Sequence, residues 1–252
     1  MKISMTRRSV AFLVATAALA ALAGCATSGN FRAEAFGANK TYAVVSLVSD
    51  DKVQCGQPTG NPCNMGVVGL VNTLATANAA YREDAAPTLE LVAPALLQSL
   101  KGVPGLKLAS DVRTLSAYKA TKADDEPPGF MGSRLMVAKG YKYFPDSRLG
   151  KIASELNVDG VIVLRMNFTA IRSGFPVMGF GGGHVAETIV HVTAVDRQGK
   201  VVWSDRARGS SDASAGSVAG GVDFPKLRPL FVESTNKAMK RLAENAGKSG
   251  GT

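Results

Sequence analysis

Histidine is nearly missing from this chain: its 252 residues hold two, His184 and His191. Neither sits in a G-x-S-x-G or H-E-x-x-H pattern, so no hydrolase triad or zinc-protease motif announces itself. Cysteine is almost as scarce, with three residues, Cys25, Cys55 and Cys63. A structural metal site needs more ligands than a cysteine pair with no histidine close by in sequence. There is no run of five like charges, although the net charge is +9. Internal repeats and heptads are also lacking, which removes solenoids and coiled coils. What remains is a chain that declares its destination more clearly than its chemistry.

The destination is written in the first 30 residues. Lys2, Arg7 and Arg8 give a positive start, and Val10 to Ala23 is apolar except for Thr16. That run is too short and too rich in alanine to span a bilayer comfortably, and small residues follow it, which is the layout of a secretory signal. Leu22-Ala23-Gly24-Cys25 resembles the lipobox of bacterial lipoproteins. The resemblance implies that the Cys25 sulfur carries a diacylglyceryl group, that residues 1–24 are removed, and that the new amino group is acylated by a fatty acid such as palmitate. Ala26 stands where an aspartate would signal retention at the inner membrane, so the resemblance points to the outer membrane with the body facing the periplasm. Two or three acyl chains anchor stably, at about 0.8 kcal/mol per buried methylene. The alternative is a plain signal peptide with an incidental cysteine.

Without residues 1–24 the 29 basic residues become 26 against 20 acidic ones, and +9 becomes +6. Export makes nucleic acid an unsuitable partner for this charge. Anionic headgroups, cell-wall polymers or simply a solvated mixed surface account for it. Cys55 and Cys63 flank a short Gly- and Pro-rich loop in a chain bound for an oxidising compartment. A disulfide there is expected, contributing roughly 2–3 kcal/mol by loop entropy.

Residues 25–40 read as a lipidated tether, 41–245 as one periplasmic domain, and 246–252 as a flexible tail. Thr41 to Val48 has the β-branched composition of a strand. Met65 to Asp84 is ambiguous, since Gly66 and Gly69 weaken a helix that its alanines favour. From Thr88, the spacing of Leu89, Val92, Ala93, Leu96 and Leu100 predicts a helix, with Pro94 kinking or dividing it. Residues 102–110 break and re-enter an extended run, and 124–145 read as a loop. Asp146 or Ser147 is the expected N-cap of a helix carrying Leu149, Ile152, Ala153 and Leu156, and Asn157 suits its left-handed end. Val161 to Leu164 is apolar on both faces, as in a central strand. Beyond it Met166, Phe168 and Ala170 alternate with Arg165, Asn167 and Thr169, so one face there turns to solvent. Glu187 to Ala207 reads as a hairpin turning at Asp196-Arg197-Gln198-Gly199. Residues 209–222 are flexible by composition. Phe231, Thr235, Ala238 and Leu242 mark a final helix. The order predicts an α/β fold, with α+β as the alternative: a mixed sheet packed with about three helices in a single domain.

The lipobox, the strand TYAVVSLV, the step ASELNVDGVIVL and the hairpin VTAVDRQGKVVWS together resemble outer-membrane lipoproteins of the curli-secretion channel and peptidoglycan-synthase-activator group. That resemblance spans roughly residues 41–245 and rests on pattern rather than on a diagnostic motif. It implies a compact α/β domain that binds and assembles, with no shared catalytic set and no cofactor. The channel-forming relatives insert long alternating strands into the membrane, whereas GFPVMGFGGGHVAE is broken by Pro176 and five glycines.

Candidate contact residues lie in two loops. Phe175, Val177, Met178 and Phe180 form an apolar patch beside GFGGGH, a stretch that lacks the following helix of a phosphate loop. Lys139, Tyr141, Lys142 and Tyr143 interleave cations with rings, and the competing expectation is that these rings pack onto the core. Asp50 with Asp51, or Asp124, Asp125 and Glu126, offer carboxylates for acid–base work or calcium, though acid pairs are common on surfaces. The sequence therefore predicts a lipid-anchored envelope protein that binds another protein, not an enzyme, with homo-oligomerisation left open. A cell-wall enzyme using Asp50, Asp124 or His191 and a pore subunit are the alternatives.

Overall fold

The computed structural model describes residues 30–37, 39–56, 83–110, 112–124, 134–173, 183–218 and 221–249. Cys25, Cys63, Asp125, Glu126, the segment 65–82 and the tip residues Phe175, Val177, Met178 and Phe180 lie outside the described residues. In chain order the strands are β1 (Asn30–Phe31), β2 (Tyr42–Asp50), β3 (Gln54–Gly56), β4 (Leu135–Val137), β5 (Gly160–Ser173), β6 (Gly183–Asp196), β7 (Val201–Ser210), β8 (Ala215–Val218) and β9 (Gly221–Val222). The principal helices are α1 (Ala86–Leu100), α2 (Val112–Ala120), α3 (Leu149–Glu155) and α4 (Leu230–Ser249), with a single helical turn at Phe224–Leu227.

The spine of the sheet is the β5–β6 hairpin, paired from Gly160 opposite Asp196 to Ser173 opposite Gly183. Around it the order is β1-β7-β6-β5-β2-β4. β2 runs parallel to the first half of β5, and β3 continues along the second half at Thr169 to Ile171. The sheet is thus mixed, and with its helices it forms the single α/β domain expected.

Both faces of the first half of β5 are covered, and the residues require it. Ile162, Leu164, Met166 and Phe168 point into a core closed by α1 and α4, where Leu89, Leu96, Phe231 and Leu242 are also buried. Val161 points the other way, into a second core with Val45, Phe144, Leu149, Ile152 and Leu156. A seven-residue helix such as α3 does not hold alone. Burying Leu149 and Ile152, at about 1.5–3 kcal/mol each, fixes it to the sheet. Its end is set by Asn157, whose φ of 54° is the left-handed turn expected of it. Likewise Gly199 has φ of 80°, and the Asp196 carboxylate accepts from the N–H groups of Gln198 and Lys200 at 3.0 and 2.9 Å.

Several expectations are corrected. The tether of 25–40 is too long, because Phe31 stacks on Phe36 at 4.9 Å and Phe36 on Tyr42 at 4.7 Å, with Trp203 edge-on to Phe31. These rings close one end of the main core, so the body begins by Asn30. The tail of 246–252 is too early: α4 runs to Ser249, and Ala246 is buried. Residues 209–222 are largely strand, since β7 reaches Ser210 and β8 and β9 follow. Gly209 has a packing role there, because a Cβ would stand 2.0 Å from the Ser234 carbonyl oxygen of α4. Pro94 leaves α1 continuous over Ala86–Leu100 and lies on its exposed side. α2, absent from the sequence reading, buries little beyond Thr114, Ala117 and Tyr118, too narrow a stripe to show as periodicity. Neither Asp146 nor Ser147 caps α3, because a 3-10 turn over Asp146–Arg148 precedes it.

Candidate functional site

α2 and α3 cover only part of the sheet face opposite α1 and α4, and they stop near Val163. Beyond that point the face is polar. Across β5, β6 and β7 one row runs Arg165–His191–Arg206, the next Asn167–Ile189–Arg208, and the next Thr169–Glu187–Ser210. The strand alternation that buries Met166, Phe168 and Ala170 on one side turns these residues to the other. Rows of adjacent strands stand about 4.8 Å apart, and same-face neighbours along a strand about 6.8 Å.

Asp50, at the end of β2, closes this patch on one side. Its carboxylate accepts from Arg165 at 2.9 Å, from Gln54 at 3.3 Å and from the Asn167 amide. Glu187 faces Arg208 at 3.5 Å. Both acids are nearly inaccessible, with side chains 10% and 9% exposed, whereas Arg165 and Arg208 are 43% and 60% exposed. Arg206 is exposed and makes no ion pair with any described residue. The groups that solvent meets are therefore guanidiniums. Burial, then Arg206 and Arg165, hold the His191 imidazole below its ordinary pKa, opposed only by Asp50. Exposed arginine forks of this kind suit carboxylate or phosphate groups.

Tyr143 borders the patch, and burial followed by Asp146 and Asp124 raises its pKa, with Arg165 opposing. Asp124 itself is held by Arg148 at 2.6 Å. Asp50 and His191 thus share a face with Arg165 between them, while Asp124 is engaged elsewhere. No group of three metal-ligating side chains occurs among the described residues.

The loop at Lys139–Phe144 serves mainly as architecture. Phe144 is buried, Tyr141 packs against the main core, and burial raises the Tyr141 pKa. Lys142 has a structural role: its ammonium donates to the carbonyls of Tyr118, Lys119 and Thr121 at 2.8, 2.9 and 2.5 Å, closing the end of α2. Its own carbonyl accepts from the Ser46 hydroxyl, and the Tyr118 hydroxyl donates to Val45. Lys139 remains exposed, its backbone N–H donating to Glu90.

His184 is the second residue of β6, opposite Arg172 and Ala215, so a strand rather than the helix of a phosphate loop follows GFGGGH. The imidazole is fully buried, and neither ring nitrogen has a hydrogen-bond partner among the described residues. Burial and Arg172 lower its pKa. Cys55 pairs along β5 opposite Ala170 and is disulfide-bonded, its partner lying outside the described residues.

Sequence reasoning missed Arg165, Arg206 and Arg208. Each was visible as a cation in a strand-like run, but the register that brings three strands together was not. In comparisons with known proteins, no family model matches this chain and no curated protein matches it. Among solved structures, a hypothetical protein from Chlamydia trachomatis is similar over 83% of this chain and 94% of its own, at 8% identity and a TM-score of 0.33.

Proposed function

We propose that this protein is an envelope lipoprotein, fixed to the outer membrane through acylated Cys25, whose α/β body binds another protein in assembly, secretion or regulation. The observation that carries the reading is the N-terminal order of Lys2, Arg7 and Arg8, the apolar run Val10–Ala23, and Leu22-Ala23-Gly24-Cys25. The position of β1 supports it. Four residues, 26–29, separate the acylated cysteine from Asn30, which over five Cα steps is a reach of at most about 18 Å. No helix among the described residues is long and apolar enough to cross a membrane, so in this reading the acyl chains supply the attachment. Holding the body so close to the bilayer raises its effective concentration toward envelope partners, which is the mechanism proposed. The resemblance to lipoproteins that recruit or assemble other proteins agrees with a binding role.

Mass spectrometry of the native protein tests the anchor. The expected amino terminus is Cys25 carrying a diacylglyceryl thioether and an amide-linked fatty acid. An unmodified terminus, or one elsewhere in the chain, would remove the proposal.

A further inference from the structure

We propose that the exposed patch of Arg165, Arg206 and Arg208 around His191 and Ile189 is the docking surface for an extended acidic segment of a partner protein. This rests on the protein-binding half of the function proposed above and is independent of the lipid.

Three observations carry it. First, Arg165, His191 and Arg206 lie directly opposite one another on adjacent strands, and Arg208 follows two residues along β7. Three cations are thus gathered on two neighbouring rows of one open face, and nothing in the packing of the two cores demands these three arginines. Second, Asp50 and Glu187 pair with Arg165 and Arg208 from beneath and are themselves covered, so the groups that face solvent are guanidiniums, and Arg206 has no ion pair among the described residues. Third, α2 and α3 stand on the same face over Val161 and Val163. A helix with its side chains is about 10–12 Å across. The patch therefore lies at the foot of a step, where a planar bilayer does not reach but a single extended chain does.

The spacing fits such a chain. Arg206 and Arg208 are separated by about 6.8 Å along β7, the repeat of same-face side chains in an extended peptide. Acidic residues at alternate positions would meet both guanidiniums, and Ile189, directly opposite Arg208, offers an apolar contact beside them.

The test uses the full-length purified protein in neutral detergent, with an eight-residue peptide alternating glutamate and threonine, its lysine counterpart, and phosphatidylglycerol mixed micelles as probes. Binding is read by calorimetry. The acidic peptide is expected to bind in low salt and weaken as salt rises, while the lysine peptide does not bind. The R206E/R208E double variant should lose about tenfold or more in affinity, as expected for reversing two exposed pairs. Lys107→Glu, an exposed cation at the opposite end of the sheet, should change it by less than about twofold. Arg206→Gln, which removes the charge and keeps a hydrogen-bonding side chain, should fall between them. Equal loss in Lys107→Glu and R206E/R208E would show binding by net charge alone and overturn the inference. So would absence of acidic-peptide binding, or patch-dependent binding to the micelles instead of the peptide. An unmodified Cys25 would remove the anchor and leave this result standing.

Discussion

Replacing Gly209 by alanine adds one methyl group where the sheet has no room for it. A Cβ at that position would stand 2.0 Å from the Ser234 carbonyl oxygen, 2.6 Å from the Ala238 nitrogen and 3.0 Å from the Lys237 Cβ. The first two neighbours are helix backbone, which moves only if α4 moves. Restoring an ordinary contact of about 3.4 Å asks for a shift of roughly 1.4 Å, enough to loosen most dispersion contacts across the interface. It would also stretch the buried hydroxyl bond between Thr188 and Ser234, now 2.6 Å. Over-packing of this kind costs about 1–3 kcal/mol, and the loss of a buried hydrogen bond adds about 1 kcal/mol. A cost near 3 kcal/mol corresponds to a Tm lowered by about 6–12 °C in a chain of this size. Thermal unfolding followed by circular dichroism reads it directly. Gly37→Ala is the matched control, because a Cβ there meets nothing within 4 Å and the backbone is extended. It should leave Tm unchanged or raise it slightly. If the two variants melt together, the close approach of α4 to β7 is not what Gly209 provides.

Four further outcomes are expected. Lys142→Met should lower stability by about 1–3 kcal/mol, measured as a urea midpoint, because three carbonyls at the end of α2 lose their charged donor. His184 and His191 both have pKa values held below the ordinary 6.5. The unfolded chain then binds more protons than the native one as pH falls below 6.5, so the urea midpoint should drop from there downward. His184→Gln should flatten that dependence, and a midpoint constant from pH 7 to pH 5 would refute it. The Tyr42 pKa is raised from 10.0 to about 12, chiefly by burial. Its contribution is present below pH 10 and lost between pH 10 and 12, which Tyr absorbance during alkaline titration should follow as a late-ionising phenol. Finally, non-reducing peptide mapping should recover a Cys55–Cys63 crosslink, whose reduction costs roughly 2–3 kcal/mol.

Local signals carried most of the architecture. Leu89, Val92, Leu96 and Leu100 place α1 from spacing alone, and Asn157 and Gly199 name their own backbone conformations. Val161–Leu164 followed by Arg165, Asn167 and Thr169 even reports that one face of β5 is covered at first and then opens. Where reading failed, the deciding contact was remote in sequence. Phe31 looks like part of a linker until Trp203 is placed beside it. Lys142 looks like a surface cation until the carbonyls of α2 arrive beneath it. Gly209 looks like flexible filler until α4 lies across it. The arginine patch belongs to the same class, because Arg165 and Arg206 become neighbours only through the pairing register of β5, β6 and β7. Acid pairs such as Asp50 and Asp51 misled for the converse reason: adjacency in sequence says nothing of the arginine and asparagine that take up one of the two.

The position of β1 has a mechanical consequence. It is a two-residue strand on the rim of the sheet, joined to β7 at Asn30 opposite Ser204 and Phe31 opposite Trp203. Any tug from a membrane mooring would arrive at that rim, not at the spine, and would first meet the aromatic stack of Phe31 and Phe36. Small, peripheral elements open at lower free energy than central strands. The rim would therefore act as a compliant coupling, paying out a short length of chain under load while the β5–β6 spine keeps its shape.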